Sequence, residues 1–212
     1  MEIEYNGHAC FTIKTSLGTI VTDPFGEDIP YPIKELTADI VTVSHEHFDH
    51  NAVKRVKGNP YVVKDIGEHT YRGIKIKGTK ASHDKSRGAQ RGQITIFTME
   101  AESLRLCHLG DLGEILSEAQ LKDIGEVDIL FIPVGGFYTI EPDEAKAVVK
   151  SMNPKVVIPM HYKTNYVKEW SIKPVDEFLK DIPYPVKKIE SNKVEITKET
   201  LPKSTEVYLL KI

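Results

Sequence analysis

The sequence reads as a single α+β chain, and three observations support this. Short apolar, β-branched runs dominate the first half. Apart from a short helical stretch at 51–56, helical patterns enter from residue 117 on, where they alternate with buried-type strands, and the tail returns to β. At 212 residues the chain is long enough for one domain with a substantial core, and residues 1–212 are expected to form a single unit.

Residues 1–5 open as a strand. Residues 10–14 and 19–22 flank the turn-like Ser16-Leu17-Gly18 and read as a hairpin. Residues 40–43 form a fourth strand. Residues 51–56 suit a short helix closed by Gly58 and Pro60. Strands continue at 61–63, 74–76, 93–98 and 104–107. The spacing then predicts a helix over 117–124, with Ser117 as N-cap and Gln120 three residues on. A buried strand at 128–132 follows. The clearest helix covers 141–152, with Pro142 near its start and Ala145, Val148, Val149 and Met152 on one face. Residues 156–158 are a strand, 174–179 a last helix, and 193–196 and 207–210 strands again.

Composition narrows the function classes. A formal net charge of −3 gives no bulk attraction for nucleic acid or an anionic membrane. No apolar run approaches the ~18 residues that span a bilayer. The N-terminus is acidic and lacks the basic and apolar regions of a signal peptide. Cys10 and Cys107 are too few for a disulfide framework. The expectation is a cytoplasmic protein with reduced thiols and a small-molecule substrate, without nucleic-acid or membrane partners.

Ser44-His45-Glu46-His47-Phe48-Asp49-His50 follows directly on the apolar strand at 40–43. Two residues apart on extended chain, His45 and His47 share a side. Asp49 and His50 then turn into the next element, so four side chains converge on a small volume. Imidazole nitrogens and carboxylate oxygens are the usual ligands of zinc and similar ions. A histidine-rich surface loop is the plain alternative, but burying four such groups without a metal is costly. Other abrupt strand ends fall at Pro133 and His161, and functional groups of α/β proteins collect at such ends.

His45, His47, Asp49 and His50, as His-x-His-x-Asp-His, resemble the signature of the metallo-β-lactamase superfamily. Further family elements follow in order as Thr22-Asp23-Pro24, Ala81-Ser82-His83, His108-Leu109-Gly110-Asp111 and Pro159-Met160-His161. Gly7-His8-Ala9, Pro133-Val134-Gly135-Gly136-Phe137 and His161-Tyr162 resemble more specifically the subgroup containing L-ascorbate-6-phosphate lactonase and small uncharacterised metal-dependent hydrolases. The resemblance runs from Gly7 to His161. It implies a four-layer αβ/βα sandwich, two mixed sheets flanked by helices. It also implies two metal positions: His45, His47 and His83 for the first, Asp49, His50 and His161 for the second, with Asp111 bridging. Asp23 would orient a ligating imidazole from behind. His108 competes with His83 for the third place at the first ion; otherwise it supports the site or packs in the core. His8 is placed near the centre, to touch substrate or transfer a proton, with an ordinary strand-end histidine as the alternative. His69 has no such context and is expected to be exposed.

The resemblance implies a hydrolase with two divalent ions, zinc first, manganese and iron also compatible. A metal-bound hydroxide would attack an ester, lactone or phosphoester, with Asp49 orienting it or accepting a proton and no serine or cysteine nucleophile needed. Arg87, Arg91 and Lys163, in segments following His83 and His161, suggest a small anionic metabolite as substrate. The alternatives on the same fold are a di-iron redox protein, a nuclease, or a non-catalytic metal-binding module. The first usually carries a flavin domain for which 212 residues leave no room, the second would favour a basic arm, and the complete ligand set argues against the third.

Overall fold

The computed structural model describes residues 1–32 and 34–212. The hairpin expected around Ser16-Leu17-Gly18 forms, and the opening strand pairs with its first arm. β1 (Glu2–Gly7) pairs antiparallel with β2 (Cys10–Thr15), Ile3 opposite Ile13 and Tyr5 opposite Phe11. β3 (Gly18–Thr22) adds to β2, with Ile20 opposite Ile13. β4 (Leu36–Thr37) and β5 (Ile40–Thr42) follow, then a 3₁₀ turn at Val53–Arg55, β6 (Val56–Lys57) and β7 (Tyr61–Val63). β8 (Gly67–Tyr71), β9 (Ile74–Ser82), β10 (Gln93–Ala101) and β11 (Leu104–His108) form an antiparallel run. The second half alternates: α1 (Glu118–Ile124), β12 (Ile129–Pro133), α2 (Pro142–Met152), β13 (Val156–Met160), α3 (Val175–Leu179), β14 (Val186–Ile189), β15 (Lys193–Glu195) and β16 (Glu206–Leu210).

Two mixed sheets result. One has the order β15-β1-β2-β3-β5-β7, the other β14-β16-β13-β12-β11-β10-β9-β8. β4 and β6 make a small pair of their own. Period-two alternation sends Ile3, Tyr5, Phe11, Ile13, Ile20 and Ile40 of the first sheet into one core cluster with Phe97, Leu106 and Phe131 of the second. Phe11 and Phe131 meet across the sheets with ring centroids 4.4 Å apart. Truncating either to alanine would cost about 3–5 kcal/mol.

The helices form where their caps predict. Ser117 and Gln120 close a reciprocal capping box on α1. Glu141 and Glu144 do the same for α2, with a proline in the first turn and Ala145, Val148 and Val149 buried. All three helices contribute to the cluster that also holds the second sheet. The outer face of the first sheet, Cys10, Val21, Val41 and Val43, is covered instead by Phe25, Ile29, Tyr31, Val167 and Ile172, all in irregular chain. The helix expected over 51–56 contracts to the single 3₁₀ turn, because the Ala52 N–H bonds back to the Pro24 carbonyl and Val53 N–H to Asn51. Among the described residues no helix is long and apolar enough to cross a membrane.

Candidate metal centre

The chemistry-bearing side chains sit just past strand ends. His8 follows β1, Asp23 follows β3, His83 follows β9 and His161 follows β13, each by one residue. β5 runs on into the His45 to His50 segment, and Asp111 lies shortly after β11. His8, Asp23 and His161 adopt left-handed φ values of 56°, 38° and 52°. Such conformations cost of order 1–3 kcal/mol each and persist only where the surroundings over-determine them. Here the His8 carbonyl accepts from both the Tyr5 hydroxyl and the His161 N–H, at 2.9 Å each. The second of these bonds ties the end of β1 in one sheet to the end of β13 in the other beside the site. Two glycines press on the same loops. A Cβ at Gly113 would fall 2.2 Å from the His83 carbonyl carbon, and one at Gly135 2.3 Å from the His161 oxygen.

Two groups of imidazoles result. His45, His47 and His83 bring one ligand atom each to within 4.8 Å of one another, and so do His8, His50 and His161. Asp111 stands between them, its Oδ2 3.3 Å from His50 Nε2 and 3.4 Å from both His83 Nε2 and His161 Nε2. Asp49 Oδ2 lies 3.2 Å from His8 Nε2 and 3.7 Å from His50 Nε2. Asp23 sits behind. It accepts from the Ser44 N–H at 2.7 Å, the Ser44 hydroxyl at 2.6 Å and His50 Nδ1 at 2.9 Å. Because the Ser44 proton goes to the carboxylate, Ser44 Oγ is left to accept from His45 Nδ1, 2.9 Å away. One buried carboxylate thus turns the Nε2 lone pairs of His45 and His50, one in each group, towards the centre.

The electrostatics fit a cation. Burial pushes the His8 imidazole down to about 4 and His45 to about 3, so both stay neutral. The contact from His8 to Asp49 is therefore a hydrogen bond from a neutral ring. Burial alone would raise the Asp111 and Asp49 carboxyls, but imidazoles beside them, His161 and His50 for the first and His8 and His50 for the second, hold both well below the usual range. His50 is opposite: burial would lower it, and the Asp111 and Asp23 carboxylates raise it well above an ordinary histidine. A divalent ion drawn to these carboxylates would take over that charge. The donor set leaves room for one, since Asp111 Oδ1 is buried between the two groups without a hydrogen-bond partner. Buried polar atoms are rarely left so.

Every residue expected to ligate or orient lies in this cluster, and His8 joins it as a third imidazole of the second group. His108 does not. It is fully buried, its Nε2 2.8 Å from the Ala9 carbonyl and its Nδ1 accepting the Gly110 N–H, packed near Phe11 and Phe131. Both nitrogens are used, so among the two candidates only His83 points at the centre. A cleft of about 460 Å³ opens over the cluster, rimmed by Phe48, Gln90, Arg91, Tyr138 and Trp170. Of the three cations expected to hold substrate, only Arg91 reaches it. Arg87 sits at a left-handed turn, φ 59°, with its side chain exposed. Lys163 is held through its backbone by the Lys173 carbonyl and does not line the cleft. Phe48, Tyr138 and Trp170 were not singled out from the sequence; the one available signal was that Trp170 is the only tryptophan. His69, expected to be exposed, is half-buried on β8 and remote from the cleft.

Comparison with known proteins fits this geometry. The family pattern described as beta-lactamase superfamily domain matches residues 2–161. The chain belongs to that family. A UPF0173 metal-dependent hydrolase of Thermoplasma acidophilum is 30% identical over 190 residues, covering 77% of this chain and 84% of its own. A Thermotoga maritima crystal structure, provisionally described as a Zn-dependent hydrolase of the metallo-β-lactamase superfamily, is 43% identical, with a TM-score of 0.83, and covers 99% of this chain and 97% of that one. The two mixed sheets are those of the metallo-β-lactamase fold. CmlA of Streptomyces venezuelae, a diiron β-hydroxylase, is 16% identical with a TM-score of 0.56 over 76% of this chain and 44% of its own. That likeness carries the fold alone and lends the redox alternative no support.

Proposed function

We propose that this metal-dependent hydrolase of the metallo-β-lactamase superfamily takes two divalent ions, zinc foremost, and hydrolyses an ester, lactone or phosphoester of a small anionic metabolite. The observation that carries the reading is Asp111. Its Oδ2 stands within 3.4 Å of imidazoles from both groups, and its Oδ1 is buried without a partner. His45, His47 and His83 would hold one ion; Asp49, His50 and His161 would hold the other, with His8 hydrogen-bonded to Asp49 beside it; Asp111 would touch both. Ions bound there supply what the side chains lack, lowering the pKa of water from ~15.7 towards ~7 and polarising the carbonyl or phosphoryl oxygen of the substrate.

The protein's own groups do the rest. Asp23 fixes the tautomers of His45 and His50 by way of Ser44 Oγ and His50 Nδ1. Asp49, ionised and lining the cleft, is placed to accept a proton at Oδ2 from a water above the cluster and to pass it to a leaving group. No serine or cysteine stands in the cleft lining, and Cys10 and Cys107 are buried, with burial pushing Cys10 up to about 12. The test is hydrolysis of a panel of esters, lactones and phosphodiesters by protein stripped with chelator and then reloaded with zinc or manganese. Turnover should appear only after reloading, and Asp49→Ala and His161→Ala should each lose at least about a hundredfold while keeping the wild-type circular dichroism. Absence of turnover across the panel by fully loaded protein overturns the reading.

A further inference from the structure

The rim of the cleft says more about the substrate than the metal cluster does. Three aromatic residues from separate loops converge on it: Phe48, Tyr138 and Trp170. Phe48 is 64% exposed and Tyr138 37%. Single exposed apolar side chains need no explanation, but several gathered around one concavity mark a binding surface. Phe137 backs Tyr138 edge-on at 4.7 Å, and Trp170 stands edge-on to His8 at 5.3 Å. Apolar walls therefore reach down to the metal cluster.

One positive charge faces this rim. The Arg91 guanidinium lies over the Tyr138 ring, 5.3 Å from its centre. Its loop is pinned by Asp84, a buried carboxylate that accepts the backbone N–H groups of Ser86, Gly88, Gln90 and Arg91 at 2.7–3.0 Å. Among the described residues no carboxylate lies within 4 Å of the Arg91 guanidinium. Other nearby cations are committed elsewhere: Lys85 to Glu144 and Lys173 to Glu141, at 2.7 Å each. One guanidinium balances one negative charge, and its fork pairs bidentately with a single carboxylate.

We propose that the substrate combines a flat or branched apolar group with one carboxylate, the first held by Phe48, Tyr138 and Trp170 and the second by Arg91. This rests on the hydrolase reading for the name substrate, but the binding claim is separable from turnover. Trp170 is the only tryptophan of the chain, so its fluorescence reports occupancy of the cleft directly. Zinc-loaded protein is titrated with 3-phenylpropionate, its neutral amide, acetate and glycerol phosphate. The aryl carboxylate should bind about tenfold or more tighter than each of the other three. Arg91→Ala should bring it down to the level of the amide, Arg91→Lys should recover part of the difference, and Phe48→Ala should weaken both aryl ligands alike. A carboxylate preference that survives Arg91→Ala would place the anion on the metal cluster and overturn the proposal. Acetate or glycerol phosphate binding as tightly as the aryl acid, or no ligand perturbing Trp170, would overturn it as well. If hydrolysis fails on every substrate while the fluorescence pattern holds, the hydrolase reading falls and the specificity of the cleft stands.

Discussion

Replacing Asp23 with alanine should damage stability and metal binding together, because one carboxylate serves both. Asp23 is fully buried. It accepts from Ser44 N–H, Ser44 Oγ–H and His50 Nδ1 at 2.7, 2.6 and 2.9 Å. Alanine strands three donors away from water, at about 1–3 kcal/mol apiece. Relief of the buried charge returns part of that, so a net loss of about 3–5 kcal/mol is expected. That is a large share of the ~5–15 kcal/mol that stabilises a typical domain. The ring of His50 loses its only fixed acceptor behind the cluster, and Ser44 loses the partner that makes it an acceptor for His45. Both imidazole groups should loosen, with zinc affinity falling about 10–100-fold at each position. Urea unfolding of the metal-free protein measures the first effect, and competition with a chromophoric chelator the second. Asp23→Asn keeps the shape and should fall between wild type and alanine in both. A stability loss under about 1 kcal/mol, with both zinc affinities within about twofold of wild type, would refute the role assigned to Asp23.

Other outcomes follow from the same structure. Gly113→Ala would drive a methyl into the His83 backbone, 2.2 Å away; it should weaken zinc binding at the His45–His47–His83 group more than at the other, read by stepwise chelator competition, and equal weakening at both would contradict the placement. His69→Ala should leave metal content and turnover unchanged, since His69 lies on β8 and does not line the cleft. Glu4 gives a pH signature far from the site. Burial alone would raise its carboxyl, but contacts with Lys34, Lys193 and Asn192 lower it from 4.5 to about 2. A folded-state pKa below the unfolded one means stability present above pH 4.5 and lost as the pH falls towards 2. With Lys34 and Lys193 half in solvent, the contribution is about 1 kcal/mol. The gap in unfolding free energy between wild type and Glu4→Gln should therefore shrink between pH 5 and pH 3, and a gap that holds constant would contradict the ion pairs.

Much of the site was legible in the sequence because its residues are chemically unusual and each follows a strand. His45, His47, Asp49 and His50 declare themselves by type and spacing; Asp23, His83, Asp111 and His161 are picked out by resemblance to the family pattern, in order along the chain. Besides the two-residue strands β4 and β6, the elements missed are those without an apolar period. β8 reads Gly-Glu-His-Thr-Tyr and lies at a sheet edge, and β14 reads Val-Lys-Lys-Ile with three of four residues exposed. Both are strands by pairing, not by burial. His8 was ambiguous because nothing local distinguishes a strand-end histidine from one whose Nε2 ends 3.0 Å from His50. Arg87, Arg91 and Lys163 look alike in sequence; four hydrogen bonds to Asp84 and the left-handed turn at Arg87 decide which reaches the cleft. Tyr138 and Trp170 come together only through the fold. The loop covering of the first sheet, where the resemblance implied a helix, follows from hydrogen bonds such as Ala52 to Pro24 that no local pattern announces.

The central claim is that two groups of imidazoles, joined by Asp111, hold two divalent ions. Anomalous diffraction at the zinc edge from zinc-loaded crystals tests it most directly. Two peaks are expected, one among His45, His47 and His83 and one among His8, His50 and His161, roughly 3.5–4 Å apart. No peak at either group under saturating zinc, or peaks only at surface carboxylates, would contradict it.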